Sequence, residues 1–182
     1  MSVVSKEEKL KYQISLTLIP GVGDVLAKNL LSYCGSAEAV FKEKKELLLK
    51  IPEIGTITTH AIHNFKNFER AEEECLFIEK HKINAVFFGD KEYPRRLKNC
   101  ADAPVLLFYK GNIKLNAEKI ISIVGSRNAT EYGKSFCEKL IESLKPHNAL
   151  IVSGLAYGID IAAHKAALKN QLQTVAVLAH GL

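Results

Sequence analysis

Two short stretches of this chain hold the residue types best suited to anion chemistry. Gly125-Ser126-Arg127 follows the apolar run Ile120-Ile-Ser-Ile-Val124, and Gly154-Leu-Ala-Tyr-Gly158 follows Leu150-Ile-Val-Ser153. An arginine at a strand end can grip a phosphate through two parallel hydrogen bonds. Ser126 adds a hydroxyl beside the backbone amides. Gly125, Gly154 and Gly158, with Ser153 and Ala156, keep the surface small, so a ligand backbone can approach closely. Thr130 is placed to cap a helix beginning near Glu131, and Gly133 and Lys134 fall in its first turn. A lysine there opposes the macrodipole, which is easier to understand if Lys134 also meets an anion. Tyr132 is placed to stack on a base or to pack. The chemistry on offer is phosphate binding, the phosphate belonging either to a small nucleotide or to a nucleic-acid backbone.

Other chemistries fit less well. Asp160 and His164 are one helical turn apart and could cap, pair or do acid–base work. No serine, cysteine or metal partner completes a catalytic set, so the structural role is favoured and no catalytic residue is assigned. The first turn is not GxGxxG, the second strand ends without the acidic residue that receives a ribose, and no GxxxxGK[ST] P-loop occurs, which weakens dehydrogenase and NTPase readings. Cys34, Cys75, Cys100 and Cys137 form no CxxC pair, so reduced thiols are expected rather than a zinc site or disulfide framework. His60 and His63 lack further ligands nearby. Neither a metal nor a cofactor is expected.

Elements that could position these residues are legible in the pattern. Strand, small-residue turn and helix recur twice, the plan of a parallel α/β sheet with ligands beyond the carboxyl ends of its strands. Residues 131–145 and 159–170 read as amphipathic helices. The runs Ala85–Phe88, Val105–Phe108, Ile120–Val124, Leu150–Val152 and Thr174–Leu178 read as short strands, most without alternation, as expected when both faces are covered.

The first 80 residues read helical throughout. Ile14, Leu16, Leu18 and Ile19 lead into Pro20-Gly-Val-Gly23, followed by Val25, Leu26, Leu30 and Leu31. This resembles the helix-hairpin-helix motif, whose turn touches DNA phosphates. A weaker copy, Ile51-Pro-Glu-Ile-Gly55, has Glu53 in place of the first glycine, where a carboxylate would repel DNA. Two domains follow: 1–80, helical with tandem hairpins or a sterile-alpha-motif-like unit, and 81–182, a Rossmann-like sheet.

Charge agrees with an anionic partner for the second half. Residues 1–75 have 10 Lys and Arg against 11 Asp and Glu, and residues 76–182 have 15 against 9. The helical part is therefore read as packing or protein-contacting more than DNA-binding. No apolar stretch is long enough to span a membrane, and the polar N-terminus is unlike a signal peptide. A cytoplasmic protein is expected.

Taken together the residues resemble the DNA-processing protein A family (DprA, or Smf). The matching segments are Tyr93-Pro94 with Leu97 and Ala103–Gly111; Ile123–Arg127 with Thr130, Tyr132 and Gly133; Val152–Ala156 with Gly158-Ile-Asp160 and Ala163-His164; and Thr174–Leu178 with Gly181-Leu182. The resemblance implies sequence-independent binding of single-stranded DNA, loading of the RecA recombinase in natural transformation, and no chemical reaction. The alternative is an enzyme or binding protein for a small nucleotide or sugar phosphate that uses the same turns. Residues implied by the motif are Gly125, Ser126, Arg127, Ser153, Gly154 and Gly158. Thr130 and Gly133 join them as members of the matching segment, and Lys134 and Lys169 from charge and position. The family pattern continues past Gly-Leu, whereas this chain stops at Leu182, and His180 replaces a small residue. The sheet is accordingly expected to be incomplete, with a homodimer belonging to a longer chain.

Overall fold

Ser5 accepts a hydrogen bond from the Glu8 amide and starts the first helix, α1 (Lys6–Thr17). The computed structural model describes residues 5–112 and 114–181. Five more helices follow: α2 (Asp24–Cys34), α3 (Ala37–Lys42), α4 (Lys45–Leu48), α5 (Thr56–His63) and α6 (Phe68–Lys80). Leu16, Leu30, Val40, Leu48 and Ile62 of these helices, with Ile19 and Ile54 of the turns between them, form one buried cluster. Each such burial stabilises by roughly 1.5–3 kcal/mol before entropy is counted.

The two hairpin turns are copies in geometry as well as in sequence. The Val22 amide donates to the Ile19 carbonyl and the Ile54 amide to the Ile51 carbonyl, both at 3.1 Å. Gly21 has φ +77, and Glu53, at the matching place, has φ +66. Gly23 and Gly55 both occupy the position before the next helix, α2 and α5. Asn29 of α2 donates to the Glu53 carboxylate at 3.1 Å, joining one copy to the other.

Strands β1 (Asn84–Phe87) and β2 (Leu106–Tyr109) pair antiparallel, with Asn84 opposite Tyr109 and Phe87 opposite Leu106. The runs near 85 and 105 therefore form an antiparallel pair of their own, outside the parallel sheet. Their connection holds only a short 3₁₀ turn at Leu97–Asn99 and no crossover helix to return the chain parallel. Instead Tyr93 is fully buried within it, and its hydroxyl donates to the Pro104 carbonyl at 2.6 Å. Burial, with Asp24 nearby, pushes its pKa up to about 12. Phe87 and Val105 enter the helical core, and the Asp24 carboxylate accepts from the Val105 amide at 2.8 Å. Two compact units accordingly divide at Lys110 and Gly111. Residue 80 marks the change from helix to strand, and the first two strands stay with the helices.

The second unit is the parallel part. Its order is β3 (Ile120–Ser122), α7 (Glu131–Leu144), β4 (Leu150–Ser153), α8 (Ile159–Lys169) and β5 (Thr174–Ala176). The sheet order is β3-β4-β5, with both neighbouring pairs parallel. Crossovers of one hand place both helices on one face, where Cys137, Ile141, Ile151, Ala163, Ala167 and Leu172 form the core. The fold is thus α/β, with a helical N-terminal region and a parallel sheet. No helix among the described residues is long and apolar enough to cross a membrane. Leu182, where the sequence reading placed an incomplete sheet, lies outside the described residues.

Candidate nucleic-acid interface

β3 and β4 are neighbours and parallel, so the turns that leave them emerge at the same end of the sheet. There the turns interlock. The Ile159 amide, first in α8, donates to the Ser126 carbonyl at 3.2 Å. Gly158 has φ +85, and a Cβ on it would lie 2.1 Å from the Ser126 carbonyl oxygen and 2.5 Å from that of Arg127. A Cβ on Gly125 would lie 2.6 Å from Ile159 Cβ, and one on Gly154 2.8 Å from Asp160 Oδ2. Gly125 and Gly158 are therefore required by contact between the turns, whereas Gly154 makes room for Asp160 of its own β-α unit. The small surface expected for an approaching ligand is filled from within, chiefly by Ile159. Sequence reasoning missed this residue, because its role appears only when the two turns are side by side.

The remaining polar groups of the turns sort into internal and outward ones. Ser126 Oγ accepts from the Asn128 amide at 3.2 Å, a local turn bond. Thr130 caps α7 as expected, accepting from the Gly133 amide at 3.1 Å. Ser153 is buried, and its hydroxyl donates to the Ile123 carbonyl at 2.7 Å, tying β4 to β3. Lys134 meets an anion, but one of its own helix: Glu131 at 2.7 Å. Arg127 is exposed and forms no ion pair with a carboxylate among the described residues. It is an exposed positive charge at this end of the sheet. Gly133 lies one turn behind it, in ordinary contact with Thr130 and Ile159. Lys169 is separate, since it ends α8 about 15 Å of helix rise from Gly158.

Asp160 and His164 do not bond each other. Asp160 Oδ2 accepts from the Ala156 amide at 3.4 Å, which back-braces the second turn. His164 Nδ1 lies 2.6 Å from Thr174 Oγ1, which itself donates to the Ile151 carbonyl at 3.0 Å. That hydroxyl proton is thus committed, so Nδ1 is the donor and His164 braces β5. Burial pushes the imidazole pKa below its ordinary value, and the nearby Asp160 charge opposes this only in part. Cavities of about 240 Å³, lined by Ser36, Glu38 and Lys42 among others, and 210 Å³, beside Gly23 and Val105, lie in the first unit. Neither includes a residue of the glycine turns.

Comparison with known proteins agrees with both halves of this picture. The family model for DNA recombination-mediator protein A matches residues 84–182, and that for the helix-hairpin-helix motif matches residues 15–74. DNA processing protein DprA of Streptococcus pneumoniae is 41% identical over 139 residues, covering 76% of this chain and 49% of that protein. DprA of Bacillus subtilis is 41% identical over 100 residues, covering 54% and 34%. Protein Smf of Synechocystis is 30% identical over 178 residues, covering 94% and 44%. The X-ray structure of the Streptococcus pneumoniae DNA processing protein A superposes with a TM-score of 0.67 at 32% identity, covering all of this chain and 59% of that one. The chain thus spans half the length or less of these curated relatives.

Proposed function

The chain belongs to the DNA recombination-mediator protein A family, and on that premise we propose that it binds single-stranded DNA without sequence preference, acting by binding rather than by chemistry. The observation that supports this reading most is Arg127. It stands exposed and without an ion-pair partner among the described residues, at the strand ends where two turns brace its backbone. The turns place its backbone, and its exposed guanidinium is open to a phosphate oxygen pair. The open setting suits a polymer backbone more than a small nucleotide or sugar phosphate, which needs enclosure. Net charge points the same way: residues 111–182 have 8 Lys and Arg against 5 Asp and Glu.

Gly125, Ser126, Gly154 and Gly158 contribute by shaping the turn, while Thr130, Gly133 and Lys134 form the start of the helix that follows it. Ser153 acts beneath the surface. Lys169 belongs to a separate stretch of the strand's path. Loading of a RecA recombinase in the cytoplasm during natural transformation, and a homodimer of a longer chain, are further parts of the proposal that rest on the family alone.

Fluorescence anisotropy with a labelled oligonucleotide tests the reading. Binding should weaken steeply with salt. Arg127→Ala should lower affinity by roughly tenfold and reduce the salt slope by about one. Affinity that ignores both salt and Arg127→Ala would remove the site.

A further inference from the structure

Helix α7 wears its aromatic side chains on the outside. Its buried side is already supplied by Cys137 and Ile141, yet Tyr132 is 80% exposed and Phe136 58%. Their ring centroids are 6.5 Å apart and their planes 26° apart, so the two faces are near parallel. At about 100° per residue the rest of the helix sorts by charge. Glu131, Glu138 and Glu142 share one flank, the two rings take another, and Ser135 and Lys139 lie between. Lys134 turns to the acidic flank, where it meets Glu131. The rings are thus spared a carboxylate flank and begin in the first turn of the helix that follows Arg127. A third ring, Tyr157, is 85% exposed on the facing turn, next to the glycine that touches the Ser126 and Arg127 carbonyls.

Resting on the single-strand reading of the neighbouring turn, we propose that Tyr132 and Phe136 are a stacking platform for successive unpaired bases, while Arg127 holds the phosphate backbone. Every nucleobase has a π-face, so such a platform adds affinity without sequence preference. The charge arrangement favours this occupant over a protein. A polyanion entering at Arg127 passes Lys139 and meets no carboxylate on the ring side. Along α7 itself the apolar stripe runs only from Tyr132 through Phe136 to the exposed Leu140, a narrow strip suited to stacked bases.

Two probes of equal length separate stacking from charge: oligo-dT and an abasic deoxyribose-phosphate oligomer. In the full chain, Tyr132→Ala with Phe136→Ala should weaken oligo-dT binding at least about tenfold, by the usual contribution of stacked bases. The abasic oligomer and the salt slope should stay unchanged, and Tyr132→Phe should bind like the parent. Arg127→Ala should weaken both probes. Both substituted rings are exposed, so circular dichroism should show an intact fold. Equal loss on both probes, or no loss, overturns the platform while leaving the single-strand reading in place. So does a change from dimer to monomer in sedimentation without selective loss of oligo-dT, which would assign the face to a second copy of the chain. Binding of neither probe by the unsubstituted chain at low salt overturns the reading and the platform together.

Discussion

A methyl group at residue 158 has no room. It would meet two carbonyl oxygens of the neighbouring turn at 2.1 and 2.5 Å, on a backbone already at φ +85. Gly158→Ala should therefore cost more than about 2 kcal/mol in urea unfolding. Gly133→Ala is the control. Its Cβ would find ordinary contacts at 3.4 and 3.5 Å inside a helix, so stability should hold or rise by up to about 1 kcal/mol. Equal effects at the two positions would mean that the turns do not interlock. At this scale the sequence was informative about type and silent about reason. Gly125, Gly154 and Gly158 stood out because few residues leave a strand so sharply. What demands Gly125 and Gly158 is an isoleucine and two carbonyls brought in from elsewhere in the chain, and no local pattern encodes that meeting; Gly154 answers to the nearby Asp160 carboxylate.

The paired hairpins show how one element can be copied with a different solution at one position. Gly21 takes a left-handed backbone freely, whereas Glu53 takes it at a cost of about 1–2 kcal/mol. The exposed bond from Asn29 returns only part of this. Glu53→Gly should consequently stabilise the protein by up to about 1 kcal/mol, and Gly21→Ala should destabilise it by a similar amount, both read from urea midpoints. Opposite signs would support the equivalence of the turns; a loss at Glu53 would show that its side chain matters more than its backbone. Elements of this kind were the most legible part of the sequence. Thr130 announced α7, and the glycine-rich ends announced β3 and β4, because caps and turns are local chemistry. Strand partnership was not local. Phe87 and Val105 sit in runs as apolar as those of the parallel strands, and only the absence of a crossover helix and the buried Tyr93 send them to the helical core.

For the whole molecule, the division at Lys110 and Gly111 redistributes the charge seen in the sequence. Residues 76–110 have 7 Lys and Arg against 4 Asp and Glu, so half of the excess first ascribed to the glycine turns belongs to the other unit. Part of it is used internally. Lys98 lies over the rings of Phe88 and Tyr93. At the start of the second unit, the described residues from Gly111 to Lys119 form neither helix nor strand. Limited trypsin digestion followed by mass spectrometry should therefore find its first cuts after Lys110, Lys114 or Lys119. First cuts within α6 or α8 would contradict the division.

The contact between the two turns also has a consequence in time. The backbone that aims Arg127 is completed by Gly158 and Ile159, which leave the ribosome well after it. A nascent chain ending between them has the arginine without the surface that orients it. Once the second strand and helix have docked, the two turns can open only together, so the proposed anion site is gained and lost as a single cooperative event of the second β-α unit.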